Sequence, residues 1–166
     1  MKGRIRLHRG DILDVGCDAI VNAANSALMG GGGVDGAIHR AAGPELKEAC
    51  RPLAPCPTGE VRVTEGFRLA PRLIFHTVGP VWRGGDQGEA ELLRACYTHC
   101  LNELVKRELT SIAFPAISTG VYGFPVNEAA GIAVHTCREH AASHATEITL
   151  VAFDEKTARA LESELD

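Results

Sequence analysis

The chain has 166 residues, of which 45% are hydrophobic and 23% are charged, and its formal net charge is −4. A chain of this length can bury a sizeable single core, and this composition is typical of a globular protein and argues against a disordered one. Since Lys and Arg form no basic run, neither duplex DNA nor a membrane surface is an expected partner. An anionic ligand would therefore be bound by backbone N–H groups and not by a basic patch.

The cysteines and the amino terminus indicate the cellular context. Six cysteines occur, none of them in a C-x-x-C pair, and a domain of this size needs no disulfides. We predict that they are reduced and structural, and not ligands of a metal ion. The amino-terminal sequence "MKGRIRLHRG" lacks the apolar stretch of a signal peptide, and no segment is long enough to span a bilayer. A cytoplasmic location is the resulting expectation.

The first elements of the chain are two strands and two helices. Residues 4–8 ("RIRLH") alternate polar and apolar side chains, which predicts a half-buried strand. The continuous apolar run "DAIVNA" (18–23) is typical of a strand covered on both faces. Residues 34–42 are predicted to be helical, and Pro44 to begin a second helix, because proline is tolerated at a first helical position.

The middle of the chain contains two more strands and a long helix. The alternating segment "VRVTEG" (61–66) follows the turn "CPTGE", and "RLIFHTVGP" (72–80) is a buried strand ended by Gly79 and Pro80. A helix is predicted over 89–105, because apolar residues recur there at helical spacing. These apolar residues are Leu93, Cys96, Tyr97, Cys100 and Leu104.

The last part of the chain alternates strand and helix. We predict strands at 111–118 and 147–153, a helix at 126–141 entered through Pro125, and a final helix in the tail. This alternation predicts right-handed crossovers and a largely parallel sheet between helices. The two alternating strands fit its edges, which makes a mixed sheet. Ligands of such sheets bind at the carboxyl ends of the strands, here the loops after residues 24, 114 and 152.

Four consecutive glycines, residues 30–33, lie in the first of these loops, directly before a predicted helix. Glycine is costly to order, so the run indicates a backbone cradle more than a flexible turn. Gly31, Gly33 and Gly36 form a G-x-G-x-x-G pattern, but it lies too far beyond the strand for a dinucleotide-binding Rossmann site, and no acidic residue closes a following strand. A P-loop is excluded because no lysine follows. Glycines that open a helix expose N–H groups to an anion.

A second loop of the same kind is "PAISTGVYGFP", residues 115–125. It also joins a strand to a helix, and it contains Gly120, Gly123 and two hydroxyl side chains. Alone it is equally compatible with a simple connection. Two glycine loops at one sheet edge, neither with a lysine, favour a diphosphate held by backbone amides.

Two residues near the predicted sheet edge suit an adenine ring. Asp11 follows the first strand, where capping a helix is the structural alternative. Its carboxylate would accept a hydrogen bond from an exocyclic amine. Phe153 ends the last strand, where an aromatic residue most often belongs to the core. Its ring would offer a stacking face.

Several polar residues surround the glycine run. Asn22 and Asn25 are interpreted as turn residues, since Asn tolerates left-handed backbone geometry. Asp35 is favoured by the helix dipole in a first turn, and it also lies beside the cradle. His39, one turn further on, and His76, in a buried strand, are interpreted as packed residues and not as bases.

The segments "GDI", "DAIVNAAN", "GGGGVDGAIHRAAG", "CPTGE", "HTVGPVW" and "FPAISTGVYGFP" occur in an order that resembles macrodomains. The similarity is greatest to the MacroD-type class and its bacterial O-acetyl-ADP-ribose deacetylases, and it extends from Asp11 to Asp154. The resemblance implies a single macrodomain over residues 1–166. It also implies a three-layer α/β/α sandwich with a six-stranded mixed, mostly parallel sheet. ADP-ribose would bind across the carboxyl edge of that sheet.

The resemblance also assigns roles to individual residues. Asp35 would be the catalytic acidic residue, and Asn25 would form hydrogen bonds with the ribose hydroxyls. The expected adenine contacts are Asp11, the Ile12 amide and Phe153. The expected diphosphate contacts are Ser118, Thr119, Gly120, Val121 and Tyr122, and the distal ribose is lined by Gly32, Gly33 and Val34. Ala27 and Phe124 depart from the residues common in the family, without touching this chemistry. The zinc-ligand pattern of the zinc-dependent class is missing, so neither a metal nor another cofactor is expected.

The expected function is hydrolysis of O-acetyl-ADP-ribose and of mono-ADP-ribose attached to acidic side chains of proteins. Both substrates carry an ester on the distal ribose, so one site would serve both. Asp35 would activate or orient a water molecule; an alternative in which a substrate phosphate positions that water stays open. The rival expectation is a reader module that binds ADP-ribose without turnover. Readers commonly lack an acid at the position of Asp35.

Overall fold

The computed structural model describes residues 2–166. Within this part of the chain, six strands and five α-helices follow one another, and two short 3-10 helices, which the sequence did not predict, interrupt the connections at Ile12–Asp14 and Arg51–Leu53. The elements are β1 (Arg4–Arg9), β2 (Ala19–Ala23), α1 (Gly33–Ala42), α2 (Glu45–Cys50), β3 (Val61–Glu65), β4 (Leu73–Thr77), α3 (Glu89–Lys106), β5 (Ser111–Phe114), α4 (Val126–Ala141), β6 (Glu147–Ala152) and α5 (Glu155–Leu165).

The six strands form one sheet in the order β1-β6-β5-β2-β4-β3. All neighbouring pairs are parallel except β3 and β4, which are antiparallel. The sheet is therefore mixed and mostly parallel, as predicted. The two strands with alternating patterns, β1 and β3, are its edges, because an edge strand is covered less completely and keeps polar side chains exposed.

Helices cover both faces of the sheet, because successive strand residues point to opposite sides. Val21 and Phe75 lie in the core formed with α3, α4 and α5, whereas Ile20 and Ile74 lie in the core formed with α1 and α2. The predicted three-layer sandwich is confirmed. All six cysteines are free, and the α3 pair Cys96 and Cys100 is buried in the first of these cores.

Three strands end earlier than their sequence patterns predict. The strand expected over 111–118 ends at Phe114, because Pro115 has no N–H to continue the ladder. The strand expected over 147–153 ends at Ala152, and the one over 72–80 ends at Thr77. Each shortening lengthens a loop at the carboxyl edge of the sheet. No helix within residues 2–166 has the length and apolar character needed to cross a membrane.

Candidate functional site

The predicted site residues lie beyond the carboxyl ends of four adjacent parallel strands. Asp11 follows β1, Phe153 follows β6, residues 118–122 follow β5 and Asn25 follows β2, in the same order as the strands occur in the sheet. Neighbouring strands are about 4.8 Å apart, so these four strand ends span about 14 Å. The arrangement is an open edge that an elongated ligand would cross.

The β1 and β6 ends carry a carboxylate and an exposed aromatic ring. Asp11 is the N-cap of the first 3-10 helix, and its Oδ1 accepts a hydrogen bond from the Leu13 N–H at 2.9 Å. The capping role considered for it is therefore present, and its second carboxylate oxygen takes no part in that bond. The neighbouring Ile12 is buried. Phe153 is 86% exposed, which excludes the alternative that it belongs to the core.

The loop after β5 presents a row of backbone donors. It is closed by the bonds from the Phe124 N–H to the Ser118 carbonyl at 2.9 Å and from the Gly123 N–H to the Gly120 carbonyl at 3.0 Å. Among residues 2–166, no protein atom accepts a hydrogen bond from the N–H groups of residues 118–122. Such a run of free N–H groups in a turn is an anion-binding concavity.

The two hydroxyl side chains of this loop differ in whether a protein atom is hydrogen-bonded to them. The Thr119 hydroxyl donates to the Ala116 carbonyl at 3.0 Å. The buried Ser118 Oγ has no hydrogen-bond partner within the described residues. A Cβ at Gly79 would collide with this oxygen, so the glycine makes room for Ser118. A Cβ at Gly120 would meet no atom within 4 Å, because this glycine faces open space.

The glycine run forms the corresponding cradle after β2. Asn25 closes it: its Oδ1 accepts from the Leu28 N–H at 3.1 Å and its Nδ2 donates to the Gly30 carbonyl at 3.2 Å. The α1 helix then begins at Gly33 without a side-chain cap. Within the described chain, the N–H groups of residues 31–35 find no protein acceptor. This uncapped helix start is the second anion-binding group of donors at the edge.

The carboxylate of Asp35 lies under this cradle and is 5% exposed. Its Oδ1 accepts a hydrogen bond from Nδ2 of Asn22 at 2.8 Å, and Nε2 of His39 lies 3.5 Å from the same oxygen. Burial raises the pKa of Asp35, and the Asn22 hydrogen bond and the His39 ring oppose that rise. The carboxylate is thus held by one oxygen.

The other carboxylate oxygen faces the glycine run. A Cβ at Gly31 would lie 3.3 Å from Oδ2 of Asp35 and 3.5 Å from Nδ2 of Asn25. The two predicted catalytic side chains therefore converge on the same point of the cradle, which their sequence separation alone does not establish. An acceptor and a donor at one point suit a hydroxyl-bearing ligand with a water molecule beside it.

Three residues behind Asp35 were not predicted as part of the site. Asn22 is no turn residue: it is fully buried in β2, paired in register with His76 of β4. Nδ1 of His76 lies 3.1 Å from Nδ2 of Asn22, and its Nε2 lies 2.9 Å from Oγ1 of Thr64 in β3. The signal in the sequence was an Asn and a His inside two runs that are otherwise apolar.

A carboxylate at the start of α3 shapes the loop before it. Glu89 is 2% exposed and accepts hydrogen bonds from the N–H groups of Arg83, Gly85 and Gln87 at 2.8, 3.0 and 2.6 Å. Although burial opposes ionisation, these donors lower the pKa of Glu89 to about 2. Nothing in the sequence singles out Glu89 for this role, since an acidic residue in a first helical turn is common.

The loop before α3 also contacts the loop after β5. The Trp82 N–H donates to the Tyr122 carbonyl at 2.8 Å, and the Trp82 ring lies 4.8 Å from that of Phe124, centroid to centroid. The loop held by Glu89 is thus joined to the loop after β5 by a hydrogen bond and an aromatic contact. No group of three or more His, Cys, Asp or Glu side chains in residues 2–166 is placed to hold a metal ion.

Comparisons with known proteins agree with this architecture. The family model for the Macro domain matches residues 21–133. A macro domain-containing protein of Ralstonia nicotianae is 64% identical over 138 residues, which cover 83% of this chain and 81% of that protein. An O-acetyl-ADP-ribose deacetylase of Citrobacter rodentium is 53% identical over 165 residues, which cover 96% of this chain and 93% of that protein.

A solved structure of the Oceanobacillus iheyensis macrodomain with ADP superimposes with a TM-score of 0.95 at 43% identity. The match covers 99% of this chain and 90% of that one. The family resemblance inferred from the motifs is therefore confirmed in both sequence and fold. This chain belongs to the macro domain family.

Proposed function

We propose that this protein binds ADP-ribose and hydrolyses the ester of O-acetyl-ADP-ribose, and that it also releases mono-ADP-ribose from acidic side chains of proteins. The Citrobacter rodentium relative is named for the first reaction, and the Oceanobacillus iheyensis structure contains ADP. ADP supplies the adenosine and diphosphate parts of the proposed ligand. Both proposed substrates are esters of the distal ribose.

The observation that carries the proposal is the order of chemical groups along the sheet edge. A carboxylate and an exposed aromatic ring lie at β1 and β6, free N–H groups at β5, and the Asn25–Asp35 pair at β2. ADP-ribose has its adenine, diphosphate and distal ribose in the same linear order. Asp11, the Ile12 amide and Phe153 are assigned to adenine, and residues 118–122 to the diphosphate.

At the ribose end, we assign Gly32, Gly33 and Val34 to the lining of the sugar and Asn25 to its hydroxyls. Asp35 takes the role of general base, because its carboxylate is buried against the cradle and has one oxygen directed toward it. It removes a proton from water as the water oxygen adds to the ester carbonyl carbon. The bond between the carbonyl carbon and the ribose oxygen then breaks, and Asp35 passes the proton to that oxygen. ADP-ribose leaves together with acetic acid, which ionises to acetate.

Two other schemes use the same site. In one, a phosphate of the substrate positions the water, and Asp35 serves as a ribose ligand. In the other, the protein is a reader that binds ADP-ribose without turnover. The presence of an acid at Asp35, where readers commonly lack one, favours the hydrolase.

The deciding experiment follows acetate release from O-acetyl-ADP-ribose together with ADP-ribose binding by calorimetry. We expect both for the wild type, and release of ADP-ribose from a protein modified on Glu or Asp. Tight binding without release of acetate or of ADP-ribose would make the protein a reader. Release of acetate alone would limit its substrates to the small ester.

A further inference from the structure

A chain of hydrogen bonds runs through the interior from the backbone of β3 to Asp35. The Thr64 hydroxyl donates to the Glu65 carbonyl at 3.1 Å and lies 2.9 Å from Nε2 of His76. Nδ1 of His76 lies 3.1 Å from Nδ2 of Asn22, which donates to Oδ1 of Asp35 at 2.8 Å. Three strands, β3, β4 and β2, thus connect to one carboxylate on α1.

The donor and acceptor properties of these groups assign each proton of this hydrogen-bond chain to one atom. An ionised carboxylate only accepts, so the Asn22 amide donates one proton to Asp35 and its second to Nδ1 of His76. Nδ1 is therefore unprotonated, and Nε2 carries the ring proton and donates it to Thr64. Burial lowers the pKa of His76 to about 3, which keeps the ring neutral. The Thr64 proton is used by the Glu65 carbonyl.

We propose that Asn22 and His76, with Thr64 behind them, are positioning residues for Asp35, an inference that rests on the hydrolysis proposed above. They hold Oδ1 of the carboxylate, so that Oδ2 stays directed toward Gly31 and the ester site. Within residues 2–166, none of the three has a hydrogen bond to the glycine run, so each acts on the reaction through Asp35. The position of a general base is decisive, since a displacement of about 1 Å costs as much as about a hundredfold in rate.

The same contacts control the ionisation of Asp35. The groups that face it are His39 on its own helix, Asn22 on β2, and, behind them, His76 on β4 and Cys50 on α2. Burial raises the pKa of the Cys50 thiol to about 11, so the thiol is neutral beside the carboxylate. Of these groups, Asn22 makes the hydrogen bond that opposes the effect of burial on Asp35. Its removal would raise the pKa of Asp35 further.

The test compares Asn22→Leu, Thr64→Val and Thr64→Ser with a matched control, Thr77→Val. Thr77 is also a buried threonine, and its hydroxyl also donates to a backbone carbonyl, that of Glu60 at 2.8 Å, but has no hydrogen bond to the His76 ring. We expect kcat for ester hydrolysis to fall roughly ten- to hundredfold in Asn22→Leu and less in Thr64→Val, with ADP-ribose affinity nearly unchanged. Thr64→Ser restores kcat, and Thr77→Val keeps it.

A carbon-13 NMR titration of the Asp35 carboxyl provides a measurement that does not depend on turnover. We expect a higher pKa for Asp35 in Asn22→Leu, and an acidic limb of the pH–rate profile displaced to higher pH. An unchanged pKa, or a loss of kcat in Thr77→Val equal to that in Thr64→Val, would overturn the positioning role. If the wild type shows no turnover, the proposed hydrolysis is wrong. The titration still decides whether Asn22 controls the pKa of Asp35. If Asn22→Leu does not fold, the Thr64 pair is titrated instead.

Discussion

Gly36, in the first turn of α1, packs so closely against the backbone of Gly31 that a Cβ at Gly36 would collide with the Gly31 carbonyl oxygen. The N–H of Gly36 also donates to the Gly32 carbonyl at 3.2 Å. The helix that carries Asp35 therefore packs directly against the glycine run. This contact explains the glycine inside the helix, where the residue is otherwise unfavourable.

Gly36→Ala is expected to lower stability by about 1–3 kcal/mol, because the new methyl group must displace the Gly31 backbone. The matched control is Gly131→Ala in α4, where a Cβ would make an ordinary 3.4 Å contact with the flexible Glu164 side chain. This control is expected to raise stability by about 0.4–1 kcal/mol. Urea unfolding measures both. Equal stabilisation by the two substitutions would show that Gly31 does not constrain Gly36.

Asp11→Ala is expected to weaken ADP-ribose binding by about 1–3 kcal/mol, the usual size for a hydrogen bond to a charged group. The preference for ADP-ribose over its inosine analogue should disappear as well, since inosine lacks the amine. The control is Asp18→Ala, because Asp18 also accepts from backbone N–H groups, those of Thr110 and Ser111, but at the amino edge of the sheet. Unchanged discrimination in calorimetry would remove Asp11 from the site.

Gly120→Val is expected to abolish detectable ADP-ribose binding while leaving the fold intact. A Cβ at Gly120 meets no atom within 4 Å other than its chain neighbours, so the valine side chain would extend into the space assigned to the diphosphate. Gly16→Val is the matched control, since Gly16 also has open space around a Cβ and lies in the connection that leads to β2. Retained binding in Gly120→Val, with a normal circular dichroism spectrum, would mean that the loop is only a connection.

Glu89→Gln is expected to lower stability at neutral pH, because an amide oxygen is a weaker acceptor for three N–H groups than a carboxylate. The folded pKa of Glu89 is about 2, below its ordinary value of 4.5, so its contribution is present above pH 4.5 and is lost as pH falls toward 2. The stability difference between wild type and variant should therefore shrink over that range. Urea unfolding at several pH values measures it, and a difference independent of pH would contradict this role.

Asp35→Ala is expected to reduce deacetylation by about 10²–10⁴, the usual contribution of a positioned general base. Affinity for ADP-ribose should change by less than about tenfold, or 1.4 kcal/mol, since adenine and diphosphate contacts supply most of the binding energy. Acetate release and calorimetry on the same preparation separate the two effects. Intact turnover with lost binding would make Asp35 a ribose ligand and favour the phosphate-assisted scheme.

The order of the α-helices and strands, and the two glycine loops of the site, could be predicted from local sequence patterns. The predicted helix over 126–141 has the observed bounds of α4, and the alternating strands are the two edges of the sheet, because periodicity reports how many faces of an element are covered. The two glycine loops could also be placed at the carboxyl edge of the sheet. Glycine loops that join a strand to a helix must follow the carboxyl end of that strand.

Which residues act together could not be predicted from the sequence. Asn22, His76 and Thr64 are far apart in sequence and meet because β2, β4 and β3 are neighbours in register, which no local pattern specifies. The linear order of the site depends likewise on the strand order β1-β6-β5-β2, which differs from the order along the chain. Phe153 is exposed because β6 ends one residue before it. Side-chain partners across a sheet are set by long-range pairing, whereas propensity and periodicity act within a few residues.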